Sequence, residues 1–352
     1  MTKFNLGTLF LSALMAVFCA GTTPAVLAQE KAEVFEPVLA EDLSLSLKGV
    51  SPYAAAPEAA APASEASAAA PAGKAAPIPI HSIEGLSGTP IVPMAYFVNA
   101  GPEGTVFGLP SASYSYLLAN DKMVHAFAVS ETIYRRIEVS YAFNRVSLGD
   151  FPGKVQDATG IDIGRNHVAL HHINLRGLLV EENSHDLPLP AVAAGVHFKI
   201  NEGMRSIDHR LGGAVSGLGF ERESGVDYTL TATKTIPKIA FGRPVIATAG
   251  LRFSQAAQIG WLGFGDTYRA TWETGFACPV LDNLIVAYEY RQKKNPYSRL
   301  GNLVGKEEGW HAVSLVWIAD EHLTVAGLWG DLGNLIDDDQ DAVWGVQIKY
   351  EF

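Results

Sequence analysis

Apolar and polar residues alternate one for one over long stretches of this chain. The last eleven residues show it most fully. Ala342, Trp344, Val346, Ile348, Tyr350 and Phe352 fall on one side, and Val343, Gly345, Gln347, Lys349 and Glu351 on the other. Successive side chains of a strand point to opposite faces, so this period of two predicts a strand with one apolar face. Its length suits a tilted strand of about 9–11 residues crossing a bilayer. The same dyad recurs upstream. Val245, Ala247, Ala249, Leu251 and Phe253 oppose Thr248, Arg252 and Ser254; Leu284, Val286, Tyr288 and Tyr290 oppose Glu289, Arg291 and Lys293. Val192, Ala194, Val196, Phe198 and Ile200 oppose His197 and Lys199; Val226, Tyr228, Leu230 and Ala232 oppose Asp227, Thr229, Thr231 and Thr233.

Twelve such runs follow Pro110: 112–119, 123–130, 133–147, 166–180, 190–200, 226–236, 243–255, 268–280, 283–293, 310–319, 322–331 and 342–352. Repeated weak dyads separated by turn residues predict an all-β chain, an antiparallel up-and-down transmembrane β-barrel of about 12 strands. Connection lengths support this. Counting back from Phe352, connections near 320–321 and 281–282 are short, and those around 294–309, 256–267, 201–225 and 148–165 are long. Short inner turns and long outer loops are the habit of bacterial barrels. Residues 181–189 are long for an inner turn, and 120–122 short for an outer one. A soluble sandwich would alternate too. Against it stand aromatics near strand ends, Tyr268, Trp310, Tyr350 and Phe352, which suit interfacial girdles.

The N-terminus carries a different pattern. Lys3, an apolar run over 9–18 and the small residues ending at Ala28 read as a secretory signal peptide, 1–28. Its removal takes Cys19 with it and leaves Cys278 alone, so no internal disulfide is expected. Residues 29–80 are rich in Ala and Pro and read as a disordered linker, expected in the periplasm. Leu43, Leu45 and Leu47 alternate within it and suit a short docking peptide. The barrel is expected over 81–352. Its first part, 81–111, has prolines at 90 and 93 that disfavour a central strand, so it reads as a segment leading into the barrel or lining its lumen.

Net charge is −11 with no basic block, which argues against nucleic-acid binding. An exported chain without helical spans, yet 48% hydrophobic, fits a closed barrel, the sheet architecture that satisfies its backbone within lipid.

Several stretches in order carry a resemblance. They are Ile83-Glu84-Gly85 to Val92-Pro93, Thr231 to Lys234, Leu251-Arg252-Phe253, Gly260 to Gly265, Ala287 to Arg291 and Asp331-Leu332-Gly333. Together they resemble the domain of unknown function 3034 family of Gram-negative outer-membrane proteins, over residues 82–352. The resemblance implies an exported barrel and brings no catalytic residues. The partners expected are outer-membrane lipid and lipopolysaccharide, the barrel-assembly machinery through the terminal strand, and a small solute.

Candidate chemistry lies inside the predicted barrel. Arg136, Glu138, Arg176, His197, Arg252, Arg269, Glu273, Glu289 and Arg291 are expected to line the lumen, with Lys199 and Lys349 beside them. Two readings stay open: a polar pore for a small or amphipathic solute, or charges paired across the lumen that close a structural barrel docking an envelope partner. The loop 260–265 is expected either to fold inward or to pack on the rim. His167, His171 and His172 do not make a metal site by themselves, since residues four apart on a strand lie about 13 Å apart. The acidic run Asp337, Asp338, Asp339 and Asp341 lacks EF-hand spacing and reads as a solvated turn. A lipid-modifying enzyme would need Ser and acid partners for His171, and Ser130 and Ser140 are badly placed. No cofactor, no metal and no enzymatic activity are expected.

Overall fold

The structure is a computed structural model that describes residues 80–102, 104–297, 306–335 and 338–352. The expected signal peptide and almost all of the linker lie outside the described residues.

Twelve antiparallel strands form a closed barrel. They are β1 (Ser111–Ala119), β2 (Lys122–Ile133), β3 (Ile137–Ser147), β4 (His167–Val180), β5 (Ala191–Glu202) and β6 (Ser224–Ala240). Then come β7 (Arg243–Ala256), β8 (Phe264–Leu281), β9 (Leu284–Arg291), β10 (Trp310–Ile318), β11 (Leu323–Asp331) and β12 (Val343–Glu351). Each strand pairs with its neighbours in sequence. β12 closes the ring on β1, with Trp344 opposite Leu118 and Ile348 opposite Tyr114. Closure leaves no open sheet edge, so backbone donors and acceptors are satisfied within the sheet.

The dyads set the two surfaces. Tyr114, Phe127, Ile173, Phe198, Leu230, Leu251, Leu315 and Ile348 point outward and are exposed. A belt of this size has no place in water and suits contact with lipid tails. The opposite positions are buried and mostly polar, among them Ser113, Ser130, Asn144, Thr231 and Gln347. Trp310 departs from the girdle expected of it. It stands opposite Arg291 on the inward face, is fully buried, and packs on Trp261 at 5.8 Å.

The two rims differ. At the C-terminal rim the connections are short apart from 181–190, and Phe352 N–H donates to the Pro110 carbonyl. The distal rim carries the long connections, with α1 (Phe151–Thr159) and, between β5 and β6, α2 (Met204–Arg210) and α3 (Ala214–Leu218). Side chains from these loops and from the strand ends build an apolar core inside the distal end, centred on Trp261, Phe264, Trp310, Met204 and Phe220. Fully burying side chains of this size contributes about 1.5–3 kcal/mol each.

Several strand boundaries move by two to four residues relative to the sequence pattern, and β8 starts at Phe264 where 268 was expected. The third run was expected to start at 133, yet Ile133 ends β2. Tyr134 and Arg135 both adopt positive φ and turn the chain before Ile137. The long connection 181–190 contains a 3₁₀ turn, Ser184–Asp186.

Candidate functional site, the occupied lumen

The lumen is filled by the segment that precedes β1. A short antiparallel pair, Ile80–His81 with Ser87–Gly88, sets its fold. The Gly85 backbone, at φ 82, reverses the chain, and Ser82 N–H donates to the Leu86 carbonyl at 2.8 Å. A side chain at Gly88 would have its Cβ 2.4 Å from the Val92 carbonyl, so only glycine lets the segment fold back on itself there. Thr89 N–H to the Val92 carbonyl and Met94 N–H to the Ser87 carbonyl, both 2.9 Å, complete a compact tongue.

The tongue bonds to strands on every side of the barrel. His81 is wholly buried, with Nδ1 2.8 Å from Ser113 Oγ on β1 and Nε2 2.8 Å from Ser130 Oγ on β2. Gln347 on β12 donates to the His81 carbonyl at 2.7 Å. Asn144 on β3 donates to the Ile83 carbonyl, and Asn174 on β4 to the Glu84 carbonyl, both at 2.8 Å. Thr233 on β6 accepts from Ala95 N–H at 2.8 Å. Near the C-terminal rim the tongue packs Ile80 and Met94 against Ile246, Ala277, Ile285, Ala287, Val316 and Ala326. Tyr96 leaves toward the long 181–190 connection and donates to Glu182 at 2.6 Å. This contact accounts for an inner turn longer than its neighbours.

Glu84 sits at the centre. Its carboxylate lies 2.5 Å from Lys199 Nζ on β5, 3.1 Å from Arg252 on β7 and 2.7 Å from Arg291 on β9. Asp227 on β6 also holds Lys199 at 2.6 Å and Arg252 at 3.1 Å. Glu273 on β8 pairs with Arg252 at 3.4 Å and Arg291 at 3.1 Å. Three carboxylates thus balance three cations, all nearly inaccessible to solvent. Isolated, each would be costly to bury; matched as ion pairs, they hold one geometry.

Two further contacts grip the tongue. Glu289 on β9 accepts from the Ile91 and Val92 N–H groups at 2.8 Å each, and from Thr89 Oγ1. Arg176 on β4 pairs with Glu138 on β3 at 2.9 Å and donates to the Met94 carbonyl at 2.7 Å. Ser87 Oγ donates to the same Glu138.

The expected lumen residues therefore divide. Glu138 and Arg176 meet each other; Arg252, Glu273 and Arg291 share the Glu84 network; Glu289 holds the tongue backbone. His197 lies apart, between Asn174 at 3.1 Å and Thr229 Oγ1 at 2.7 Å. Arg269 faces inward opposite Ser254 and joins no ion pair among the described residues. Arg136 is not in the lumen. It lies in the Tyr134–Arg135 turn at the C-terminal rim, exposed and paired with Glu181, because positive φ at the two preceding residues ends the strand before it. Glu84 is the residue missed. The signal for it is an imbalance: Lys199, Arg252, Arg269 and Arg291 outnumber Asp227, Glu273 and Glu289 among the inward positions of β5–β9, and a buried cation needs a partner from somewhere.

The loop 260–265 folds inward. Lys199 Nζ donates to the Ile259 carbonyl at 3.1 Å, and Asn201 to the Gly260 and Trp261 carbonyls at 2.9 and 2.8 Å. Ile259 takes φ 57, a conformation a β-branched residue adopts only when its surroundings impose it. In the β9–β10 connection, Lys293 pairs with Glu307 at 3.2 Å and lies over the Trp310 ring at 4.6 Å. Burial pushes the Glu307 carboxyl up against the pull of Lys293, and burial pushes Lys293 down against the pull of Glu307.

His171 lies on the outward face with Tyr141 OH at 2.8 Å and Glu202 at 3.1 Å, while Ser130 and Ser140 face inward. Asp338 is taken by Lys122 at 3.1 Å and Lys154 at 3.0 Å; Asp337 lies outside the described residues. Among the described residues no His, Cys, Asp and Glu side chains group as metal ligands.

An apolar belt outside, closure without an edge and a polar interior define a β-barrel of the outer-membrane type. The chain belongs to the family described as "Protein of unknown function (DUF3034)", whose model matches residues 78–348. No curated protein matches it in sequence. Among solved structures it is similar to the KdgM porin, at 10% identity and TM-score 0.42, covering 69% of this chain and 99% of that one. It is similar too to the COG4313 outer membrane channel from Pseudomonas putida F1, at 12% identity and TM-score 0.40, covering 74% and 100%. The outer membrane phospholipase of Salmonella typhi matches at 8% identity and TM-score 0.34, covering 72% and 96%.

Proposed function

We propose that the protein is an outer-membrane channel for a small solute, closed at rest by its own residues 80–98. The observation that carries this is the gripping of Glu84 by Lys199, Arg252 and Arg291, from three non-adjacent strands. A barrel meant only to be solid could fill its interior with its own side chains, as barrels of about eight strands do. Here the wall offers small residues such as Ser113, Ala128, Thr231, Gly250 and Gly275, and a separate segment fills the space. That segment is held by ion pairs and hydrogen bonds as well as by buried apolar side chains such as Ile83 and Val92, and it is continuous with the Ala/Pro-rich stretch expected in the periplasm, so a pull from that side moves it as a piece.

The paired charges favour a second reading, a barrel that never opens and presents its N-terminal segment to an envelope partner. Liposome swelling with neutral sugars tests the channel reading. Proteoliposomes of the full chain stay impermeable in both readings. A chain lacking 80–98, and a Glu84→Gln, Glu289→Gln chain as the gentler variant, admit small sugars if the barrel is a plugged channel. Impermeability of a folded, plug-free barrel refutes the channel reading.

A further inference from the structure

On the distal side of the Glu84 network the barrel wall holds a small recess of about 40 Å³. Its floor is formed by Arg252 and Arg291; its walls carry Arg269 and Thr271 of β8 and Lys293 and Lys294 of the following connection. The register explains why the recess exists. β8 pairs with β7 through Arg269 opposite Ser254 and, past a bulge, Phe264 opposite Ala256, but with β9 only from Glu273 opposite Arg291. Gln292 N–H still donates to the Trp272 carbonyl at 2.9 Å; beyond it β8 runs on toward the distal rim with its ladder on the β7 side. Arg269 and Thr271 stand opposite Ser254 and Arg252 and therefore share the inward face.

The charges in this recess do not balance. Lys199, Arg252 and Arg291 are matched by Glu84, Asp227 and Glu273, and Lys293 by Glu307. Arg269 and Lys294 remain, with no ion pair among the described residues. Arg269 Nε is buried and has no hydrogen-bond acceptor. A guanidinium N–H removed from water without an acceptor is costly, and it points to an acceptor that arrives from outside. The two unmatched cations give the partly desolvated hollow a positive potential.

We propose that this recess is a binding site for an anionic group, a carboxylate or phosphate. The fork of Arg269 and the ammonium of Lys294 hold it, and Thr271 and Gln292 supply neutral hydrogen bonds. Guanidinium recognises either group through paired N–H donors, which gives geometry as well as attraction. The small space takes a single phosphate or carboxylate group, with the rest of its molecule left outside. The inward face of the site favours a soluble anion; the phosphate of a lipopolysaccharide is the other source of the same chemistry.

Calorimetric titration of the full chain in detergent at low salt tests the site. The probes are inorganic phosphate, glucuronate, purified lipopolysaccharide, and glucose as the uncharged control. Phosphate and glucuronate are expected to bind and compete, glucose not to bind, and affinity to fall with added salt. Arg269→Gln with Lys294→Gln is expected to weaken binding about tenfold or more. Lys294→Gln alone, on an exposed loop position, gives part of that loss without risk to folding. Lys238→Gln, at the opposite rim, leaves binding unchanged. Binding of lipopolysaccharide alone, lost in the double variant, assigns the anion to the lipid. No binding of any anion at millimolar concentration overturns the site, as does equal binding by the double variant, or an equal loss in Lys238→Gln.

Discussion

Replacing Glu84 by Gln removes one charge from the centre of the lumen and leaves the shape nearly intact. Lys199, Arg252 and Arg291 then face only Asp227 and Glu273, and Lys199 and Arg291 lose contacts of 2.5 and 2.7 Å. Taking one partner from a buried ion pair costs about 3–5 kcal/mol, because the remaining charge stays buried. The tongue bears this cost directly, since Glu84 is its link to β5, β7 and β9. Each 1.4 kcal/mol is tenfold in a population, so opening of the tongue becomes about a hundredfold or more frequent. Hydrogen exchange by mass spectrometry reads this on peptides covering 80–98, where the amides of Ser82, Thr89 and Met94 are bonded within the tongue. Exchange there rises while peptides from β1 to β12 keep their protection. The Glu84→Gln, Lys199→Gln double variant exchanges more slowly than the two single effects combined predict, because it removes an acid and a base together. Exchange of the Glu84→Gln tongue within about threefold of the parent, in a folded barrel, would refute the idea that this network holds the tongue in place.

Other outcomes follow from the same geometry. Glu289→Gln loses the charge that accepts the Ile91 and Val92 amides, and weakens tongue docking by about 1.5–3 kcal/mol, seen as faster exchange of residues 89–94. Gly88→Ala places a Cβ 2.4 Å from the Val92 carbonyl; protease cleaves within 80–98 while the barrel keeps its heat-modifiable gel migration. Single-tryptophan variants keeping Trp317, Trp329 or Trp344 are quenched by brominated lipid, since these rings are 45–61% exposed on the outer face. Those keeping Trp261 or Trp310, at 1% and 0%, are not.

Much of the barrel was legible because burial on one face imposes a period of two, and all twelve strands carry it. The dyads placed Glu138, Arg176, Arg252, Glu273, Glu289 and Arg291 inward before any coordinates. Arg136 escaped because positive φ at Tyr134 and Arg135 is set by the hairpin and leaves no mark in the hydrophobic pattern. Trp310 misled because an aromatic at a strand end suits a girdle and an inner core equally; only the register with Arg291 decides. The tongue was the harder case. Ile83, Leu86, Ile91 and Val92 follow no strand or helix period, since their burial is dictated by a cavity that the rest of the chain builds. Pro90 and Pro93 argued against a central strand, and left open whether the segment leads into the barrel or lines its lumen. Glu84 acquires its meaning only from partners 115, 168 and 207 positions away in the chain.

Ionic current through a planar bilayer tests the sealed lumen most directly. The full chain, inserted and shown to be folded, is predicted to give no sustained conductance at moderate voltage. Removal of residues 80–98 is predicted to give stable, ohmic steps, and Glu84→Gln brief openings between closed periods. Steady conductance from the intact chain would contradict the account, and so would silence from a folded barrel without its tongue.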